Sequence, residues 1–329
     1  MSNNNTHEGT SMTSNVARRV VASAKADEIL AIEHGPIRPP FSNEALVKVS
    51  TVSLNRGEVR RAQNASDGAL QIGWDFVGTV DAQAADGSGP TEGTRVVGFS
   101  TRMEAWSEYV SIPSNYIAPI PDTVSDAQAA TLPVAGLTAL HAVDAAKSLV
   151  GRPALITGAT GGVGMYTVQL AAIAGANSYA QIRRAEQKPF IEGLGNFPVI
   201  VTSTGHEFSD YGGFRLVVDG VSGPILTKAI TALAPQGICV CYGVTDTPEI
   251  PINIGYFMRI GLAQIMGFHL YAKSESSPPS DNLPRLLSLV GTGRLKCAIE
   301  REASWSDIDR VARDLIDRKF LRKAVLHID

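Results

Sequence analysis

The stretch Ala154-Leu155-Ile156-Thr157-Gly158-Ala159-Thr160-Gly161-Gly162-Val163-Gly164 decides how this chain folds. A short apolar run breaks into closely spaced glycines, and a helix-forming run over residues 165–174 follows at once, with Gly175 as its stop. Glycines at 158, 161 and 164 let the backbone turn tightly, approach a pyrophosphate and pack a helix against its strand. The helix then turns unpaired N–H groups and the positive end of its dipole toward the anion. Gly158, Thr160, Gly161, Gly162, Val163 and Gly164 are therefore the expected phosphate contacts of a dinucleotide.

Downstream, a strand pattern over residues 178–182 ends in Arg183-Arg184. A site selective for NAD normally carries an acid about 20 residues beyond its glycines, to hold the ribose hydroxyls. Here the first acid is Glu186, and two guanidiniums stand in the expected place. A guanidinium grips a 2′-phosphate bidentately and gains little from a bare ribose, so the pattern selects NADPH. Further strands at residues 214–220 and 237–243, with a helix over 225–233 between them, continue the β–α alternation of a parallel, doubly wound sheet. Ligands of such sheets lie at the carboxyl ends of strands, which adds Gly220, Gly243 and Val244 to the cofactor contacts.

Composition narrows the function classes. At 329 residues the chain accommodates about two domains. Its formal net charge of −3 gives no electrostatic reason to bind nucleic acid or anionic membrane. No apolar stretch is long enough to span a bilayer, and no secretory signal opens the chain, so a cytoplasmic enzyme is expected. The three cysteines make no disulfide framework. Cys239 and Cys241 share one face of a strand, and nothing nearby completes a tetrahedral zinc site.

The glycine turn sits in mid-chain. Ahead of it, residues 16–122 read as β-rich, with strands at 45–49, 76–80, 94–99 and 105–110, while residues 1–15 are polar and read as a disordered tail. Residues 125–149 are mainly helical and lead into the nucleotide domain. After it, residues 272–281 read as an exposed loop, followed by a helix (283–290), a short strand near 298–299, a helix (306–318) and a final strand (324–328). The expected organisation is a β-rich domain of residues 16–122 and 271–329, with a Rossmann-type NADP-binding domain of residues 123–270 inserted into it.

Six motifs in order carry a specific resemblance. They are Ser53-Leu54-Asn55-Arg56-Gly57-Glu58, Gly73-Trp74-Asp75-Phe76-Val77-Gly78, Gly93-Thr94-Arg95-Val96-Val97-Gly98, Glu108-Tyr109-Val110, residues 129–139 (Ala129-Ala130-Thr131-Leu132-Pro133 through Gly136-Leu137-Thr138-Ala139) and the turn Gly161-Gly162-Val163-Gly164. Over nearly its whole length the chain resembles the zinc-independent medium-chain dehydrogenase/reductase superfamily, in its quinone oxidoreductase and enone reductase branch. The resemblance implies an α/β chain made of a GroES-like β-rich catalytic domain and a Rossmann domain. Zinc-dependent relatives carry Cys where Asn55 stands and His where Trp74 stands, and neither residue here supplies a thiolate or imidazole. The turn also fits the short-chain dehydrogenases, but none of the eight tyrosines begins the Tyr-x-x-x-Lys pair those enzymes use.

The same resemblance sets the nicotinamide between the domains, near Asn55 and Thr138. Asn55 either hydrogen-bonds a substrate carbonyl or the nicotinamide ribose, or is a turn-forming residue at a strand end. Thr138 either contacts the nicotinamide or back-bonds to its own helix. Trp74 forms an apolar wall for a flat conjugated substrate or belongs to the core. Related enone reductases carry a Tyr shortly after the Asn motif; here that segment reads Glu58-Val59-Arg60-Arg61, and Arg60 or Arg61 meets the substrate or is a solvated surface charge. His141 reads as structural. The implied activity is hydride transfer from NADPH to an enone or a quinone without zinc, with no general acid identified. An alcohol or aldehyde dehydrogenase of the same fold and a non-catalytic NADPH-binding protein are the alternatives. Relatives dimerise through nucleotide-domain sheet edges, which implies a homodimer through residues 260–268.

Overall fold

In the parallel strand that precedes the glycine turn, Ala154, Leu155 and Ile156 are all fully buried, as expected of a strand covered on both faces. The structure, a computed structural model, describes residues 16–65 and 70–329. The expected polar tail of residues 1–15 lies outside the described residues.

Strands β1 (Val16–Ala22) and β2 (Leu30–Pro36) pair as an antiparallel hairpin beside the larger sheet of the N-terminal lobe. That sheet is built from β3 (Glu44–Ser53), β4 (Asp75–Ala82), β5 (Arg95–Phe99), β6 (Tyr109–Pro113) and β7 (Ile117–Pro119), with α1 (Arg56–Gln63) between β3 and β4. Helices α2 (Asp126–Ala130) and α3 (Pro133–Asp144) then carry the chain across to the second lobe. There β8 (Pro153–Ile156), α4 (Gly162–Ile173), β9 (Asn177–Ile182), α5 (Lys188–Leu194), β10 (Val199–Val201), β11 (Phe214–Asp219), α6 (Gly223–Thr231), β12 (Leu233–Cys241), α7 (Ile254–Ile260) and β13 (Gln264–Gly267) follow.

All strands of this second sheet pair in parallel, in the order β10-β9-β8-β11-β12-β13. The chain leaves β8 to one side and returns as β11 on the other, so the glycine turn stands at the point where strand order reverses. This is the GroES-like plus Rossmann-type architecture expected from the motifs. After β13 come α8 (Leu270–Ser276), α9 (Pro279–Gly291), β14 (Ile299–Ser304), α10 (Ile308–Ile316) and β15 (Lys323–His327). Strand β15 pairs antiparallel with β3, which returns the end of the chain to the first lobe. Helix α10 buries Ile308, Val311, Ala312 and Leu315, a helical-period stripe.

One apolar core runs through both lobes. Val77, Val97, Phe99, Ala118 and Ile120 of the first sheet pack with Leu132, Leu137, Leu283, Leu286 and the buried faces of β8 and α4. Leu283, Leu286, Leu287 and Val290 line the inner face of α9, which therefore touches both sides of the seam.

Several local expectations shift. Residues 272–281 do not form an exposed loop: α8 occupies the first half of them and α9 starts at Pro279. The Ser and Pro content reads as loop, but a proline in the first helical turn lacks only an N–H that has no partner there anyway. The strand expected at 105–110 begins only at Tyr109, because Trp106 turns inward against Gly73, whose φ is +133°. Helix α6 ends at Thr231, and β12 already begins at Leu233. Within residues 260–268 only Gln264–Gly267 is strand, at the outer edge of the sheet and mostly exposed.

Candidate active site

Close packing explains the glycines. A Cβ on Gly164 would sit 2.4 Å from the Gly158 carbonyl oxygen and 2.8 Å from the Ala159 Cα. Gly158 has φ of +57°, and Gly161, at the N-cap of α4, donates its N–H to the Gly158 carbonyl at 2.9 Å. Gly164→Ala is expected to destabilise the protein by about 1–3 kcal/mol and to weaken coenzyme binding. Urea unfolding and a coenzyme titration measure both, and an unchanged pair of curves would refute the packing argument.

Beneath the turn, Thr157 Oγ1 donates to Asp219 Oδ1 at 2.5 Å, and the Ser222 N–H donates to Asp219 Oδ2 at 2.8 Å. Burial raises the Asp219 carboxyl above its ordinary range, against these two hydrogen bonds. Asp219 thus ties the ends of β8 and β11 together. Gly220 lies under the Tyr242 ring, where a Cβ would come within 2.4 Å of that ring, and Gly243 faces Gly220. Arg183 and Arg184 follow β9 directly, are exposed and carry no ion pair among the described residues. Gln181 Oε1 accepts the Gly158 N–H at 2.8 Å, which holds the end of β9 beside the turn. An unobstructed glycine turn at a helix N-terminus with two unpaired guanidiniums at the neighbouring strand end fits a dinucleotide carrying an extra phosphate.

Opposite the turn stands a buried polar network. Lys323, at the start of β15 and only 3% exposed, donates through Nζ to Asn55 Oδ1 at 2.7 Å and to the Leu54 carbonyl at 3.0 Å. Its Nζ lies 3.6 Å from Asp75 Oδ2. Asp75 Oδ2 also accepts from Ser53 Oγ at 3.0 Å and Asn55 Nδ2 at 2.8 Å. Asp75 Oδ1 accepts the Val134 N–H at 2.9 Å, in the first turn of α3, so one carboxylate joins the two lobes. Glu58 accepts from the Asn55 N–H at 2.7 Å and the Trp74 N–H at 2.9 Å. The Lys323 ammonium pairs with Asp75 and acts on the buried Glu58 through its charge alone. Burial, reinforced by Asp75, pushes Glu58 well above the carboxylate range, and burial raises Asp75 against the pull of Lys323. Burial lowers the Lys323 ammonium, with Asp75 and Glu58 opposing. A Cβ on Gly162 would meet the aliphatic part of the Lys323 side chain at 3.3 Å, so the network reaches the glycine turn.

Several expected roles change in this setting. Asn55 has its amide oxygen taken by Lys323 and its Nδ2 committed to Asp75 and to Glu58 at 3.1 Å, so it has no donor free for a substrate oxygen. Arg60 Nη1 donates to the Val244 carbonyl at 3.0 Å, an exposed hydrogen bond between the two lobes. Trp74 is half-buried, with its ring against Gly57 and edge-on to Tyr271. Thr138 is buried one turn beyond Val134 in α3, and Thr160 and Val163 lie in the turn. His141 is buried beside Phe268, and desolvation holds it at about 4, neutral at physiological pH. Among the described residues no group of three or more His, Cys, Asp or Glu side chains could hold a metal. The Trp74 indole is a donor, and the Asn55 oxygen is engaged, so this donor set does not fit a catalytic zinc.

Lys323, Asp219 and Tyr271 were not singled out by sequence. A lone Lys opening the apolar run Ala324-Val325-Leu326 is the one local signal for the first, since nothing else in that run is charged.

Residues 42–122 match the alcohol dehydrogenase GroES-like domain, and residues 162–289 match the family described as zinc-binding dehydrogenase. A phenolphthiocerol/phthiocerol polyketide synthase of Mycobacterium tuberculosis is 26% identical over 301 residues, 88% of this chain. The chain spans only 14% of that protein's length. Among solved structures, a quinone oxidoreductase from Coxiella burnetii aligns with a TM-score of 0.80 at 22% identity, covering 95% of this chain and 100% of that one. The CurK enoyl reductase aligns at 0.78 and 21%, covering 96% and 100%. A mycobacterial protein complexed with NADPH aligns at 0.83 and 22%, covering 94% and 99%. At these identities the structural likeness is one of fold.

Proposed function

Since the chain belongs to the medium-chain dehydrogenase/reductase superfamily, we propose that it is an NADPH-dependent oxidoreductase that reduces an activated C=C bond, as in an enone, or a quinone, without zinc. The observation that carries the cofactor reading is the pair Arg183 and Arg184, unpaired among the described residues at the end of β9 beside the glycine turn. In this reading Gly158, Thr160, Gly161, Gly162, Val163 and Gly164 hold the diphosphate, Arg183 and Arg184 the 2′-phosphate, and Thr138, Gly220, Gly243 and Val244 the remainder of the coenzyme. The bound coenzyme supplies hydride. The aliphatic stem of Lys323 packs beside Gly162, and Asn55 acts by orienting the Lys323 ammonium and Asp75.

A donor set that does not fit zinc suits an acceptor that is already polarised, because no Lewis acid is needed to draw electrons from it. The quinone oxidoreductase and enoyl reductase among the structural neighbours support that substrate class. The limits 16–122 with 271–329 and 123–270 describe the two domains in this reading. We further propose a cytoplasmic homodimer joined along the exposed edge of β13, beside the exposed Met258, Leu262 and Ile265.

The test is loss of absorbance at the NADPH band with cyclohexenone and benzoquinone, against simple alcohols with NADP+. Turnover of the conjugated substrates alone is expected. Oxidation of saturated alcohols together with stoichiometric bound zinc would overturn the reading.

A further inference from the structure

Two side chains at the seam between the lobes carry buried polar groups whose one polar neighbour is each other, and among the described residues neither meets a partner in good hydrogen-bond geometry. Trp74 follows Gly73, and Tyr271 opens α8 after β13, so they come from different parts of the chain and meet at the seam between the lobes. Their rings are edge-on, with centroids 6.1 Å apart at 90°. Phe99 at 5.5 Å and His269 at 4.9 Å fix the Tyr271 ring from two further sides. Trp74 Nε1 and the Tyr271 hydroxyl are both buried, and among the described residues neither makes a well-formed hydrogen bond. An unmade hydrogen bond at a buried polar group costs about 1–3 kcal/mol, and Phe at position 271 would have filled nearly the same space without that cost. Glu58 fixes the Trp74 backbone through its N–H, so the indole is anchored to the network opposite the phosphate turn.

We propose that Tyr271 is the proton donor of the reduction and that Trp74 Nε1 is a second donor to the same substrate oxygen. The proposal rests on the reductase reading above. It fills the place left by the missing Tyr after Asn55, and by Asn55 itself, whose amide is fully engaged.

The electron count closes. Hydride adds to the β-carbon of the enone, the C=C pair shifts to join the α-carbon to the carbonyl carbon, and the C=O π pair moves onto oxygen. That oxygen, held by the indole N–H, forms an O–H bond as the Tyr271 O–H breaks. The resulting enol becomes the ketone in water, and the tyrosinate recovers a proton from water. For a quinone, hydride and the Tyr271 proton together give the hydroquinone. Burial holds the Tyr271 phenol at about 12, with the neighbouring indole pulling the other way, so it is protonated and able to donate at neutral pH.

The experiment compares wild type, Tyr271→Phe and Trp74→Phe. Loss of a general acid lowers turnover by about 10²–10⁴, so Tyr271→Phe is expected to lower kcat at least a hundredfold while the NADPH dissociation constant, read by fluorescence, stays within about twofold. Trp74→Phe is expected to lower kcat by about tenfold, the size of one hydrogen bond. A second readout needs no turnover. 4-Nitrophenol, whose oxyanion resembles an enolate oxygen, is titrated spectroscopically in the presence of NADP+, and its bound form is expected to ionise at lower pH in wild type than in either variant. Probe binding through Tyr271 without reduction of any enone or quinone would remove the reductase reading and leave the donor pair standing. Reduction by Tyr271→Phe within threefold of wild type, or an identical probe titration in both, would overturn the donor pair. Should Tyr271→Phe not fold, 3-fluorotyrosine at position 271 acidifies the phenol alone, and an unshifted alkaline limb of the pH–rate profile would equally overturn it.

Discussion

Replacing Lys323 by Met is expected to lower the stability of the protein by about 3–5 kcal/mol, the usual loss when one partner is removed from a buried ionic cluster. Among the described residues the ammonium is the one cation facing both Asp75 and Glu58, and all three groups are at most 3% exposed. Without it two carboxylates remain buried side by side, with Asn55 losing the donor to its amide oxygen. The thermal midpoint is expected to fall by on the order of 10 °C, followed by circular dichroism. Adding Asp75→Asn should recover part of the loss, because it removes one of the stranded charges.

The cluster also sets a pH dependence. Glu58 is pushed above its ordinary 4.5, so its contribution is complete below that value and declines as pH rises through the raised value. Lys323 is lowered from 10.5, so its contribution is present above that value and declines as pH falls through the lowered one. Both terms act against stability across the intervening range, and Lys323→Met, lacking the cation that offsets Glu58, should lose stability more steeply with rising pH than wild type. Parallel pH profiles for the two proteins would contradict the arrangement.

Substituting Arg183 and Arg184 together by Ala is expected to weaken NADPH about a hundredfold, equivalent to about 2.7 kcal/mol, and to leave NADH within a few-fold. Charge-assisted hydrogen bonds contribute about 1.5–3 kcal/mol each; both arginines are exposed, so the lower end applies to the pair. The measurement is a calorimetric titration of each coenzyme at fixed ionic strength. Equal weakening of NADPH and NADH would remove the 2′-phosphate role.

The glycine turn could be read from sequence because its cause is local: Gly158 and Gly164 are dictated by a φ of +57° and a 2.4 Å approach within one turn. The parallel sheet could be read for a similar reason, since strands covered on both faces show as continuous apolar runs such as Ala154 to Ile156. The network of Asn55, Glu58, Asp75 and Lys323 could not. Its members lie up to 268 residues apart, and each alone reads as a helix cap, a polar strand end or a solvated lysine. Tyr271 was hidden differently. The serines and prolines after it read as loop, whereas α8 turns its ring against Trp74. Arg60 read as either a substrate contact or a solvated surface charge, and sequence gives no hint that the Val244 carbonyl comes within 3.0 Å of it.

The two lobes are joined very unequally. On one side a continuous apolar seam of Phe99, Ile120, Leu132, Leu283 and Leu286 holds them. At the mouth, Arg60 clasps the Val244 carbonyl by one exposed hydrogen bond. Breaking that clasp costs about 1 kcal/mol, whereas parting the seam would expose several large side chains at about 1.5–3 kcal/mol each. Any gape of the jaws must therefore pivot on the seam, so on the proposed function coenzyme enters and leaves without either lobe coming apart.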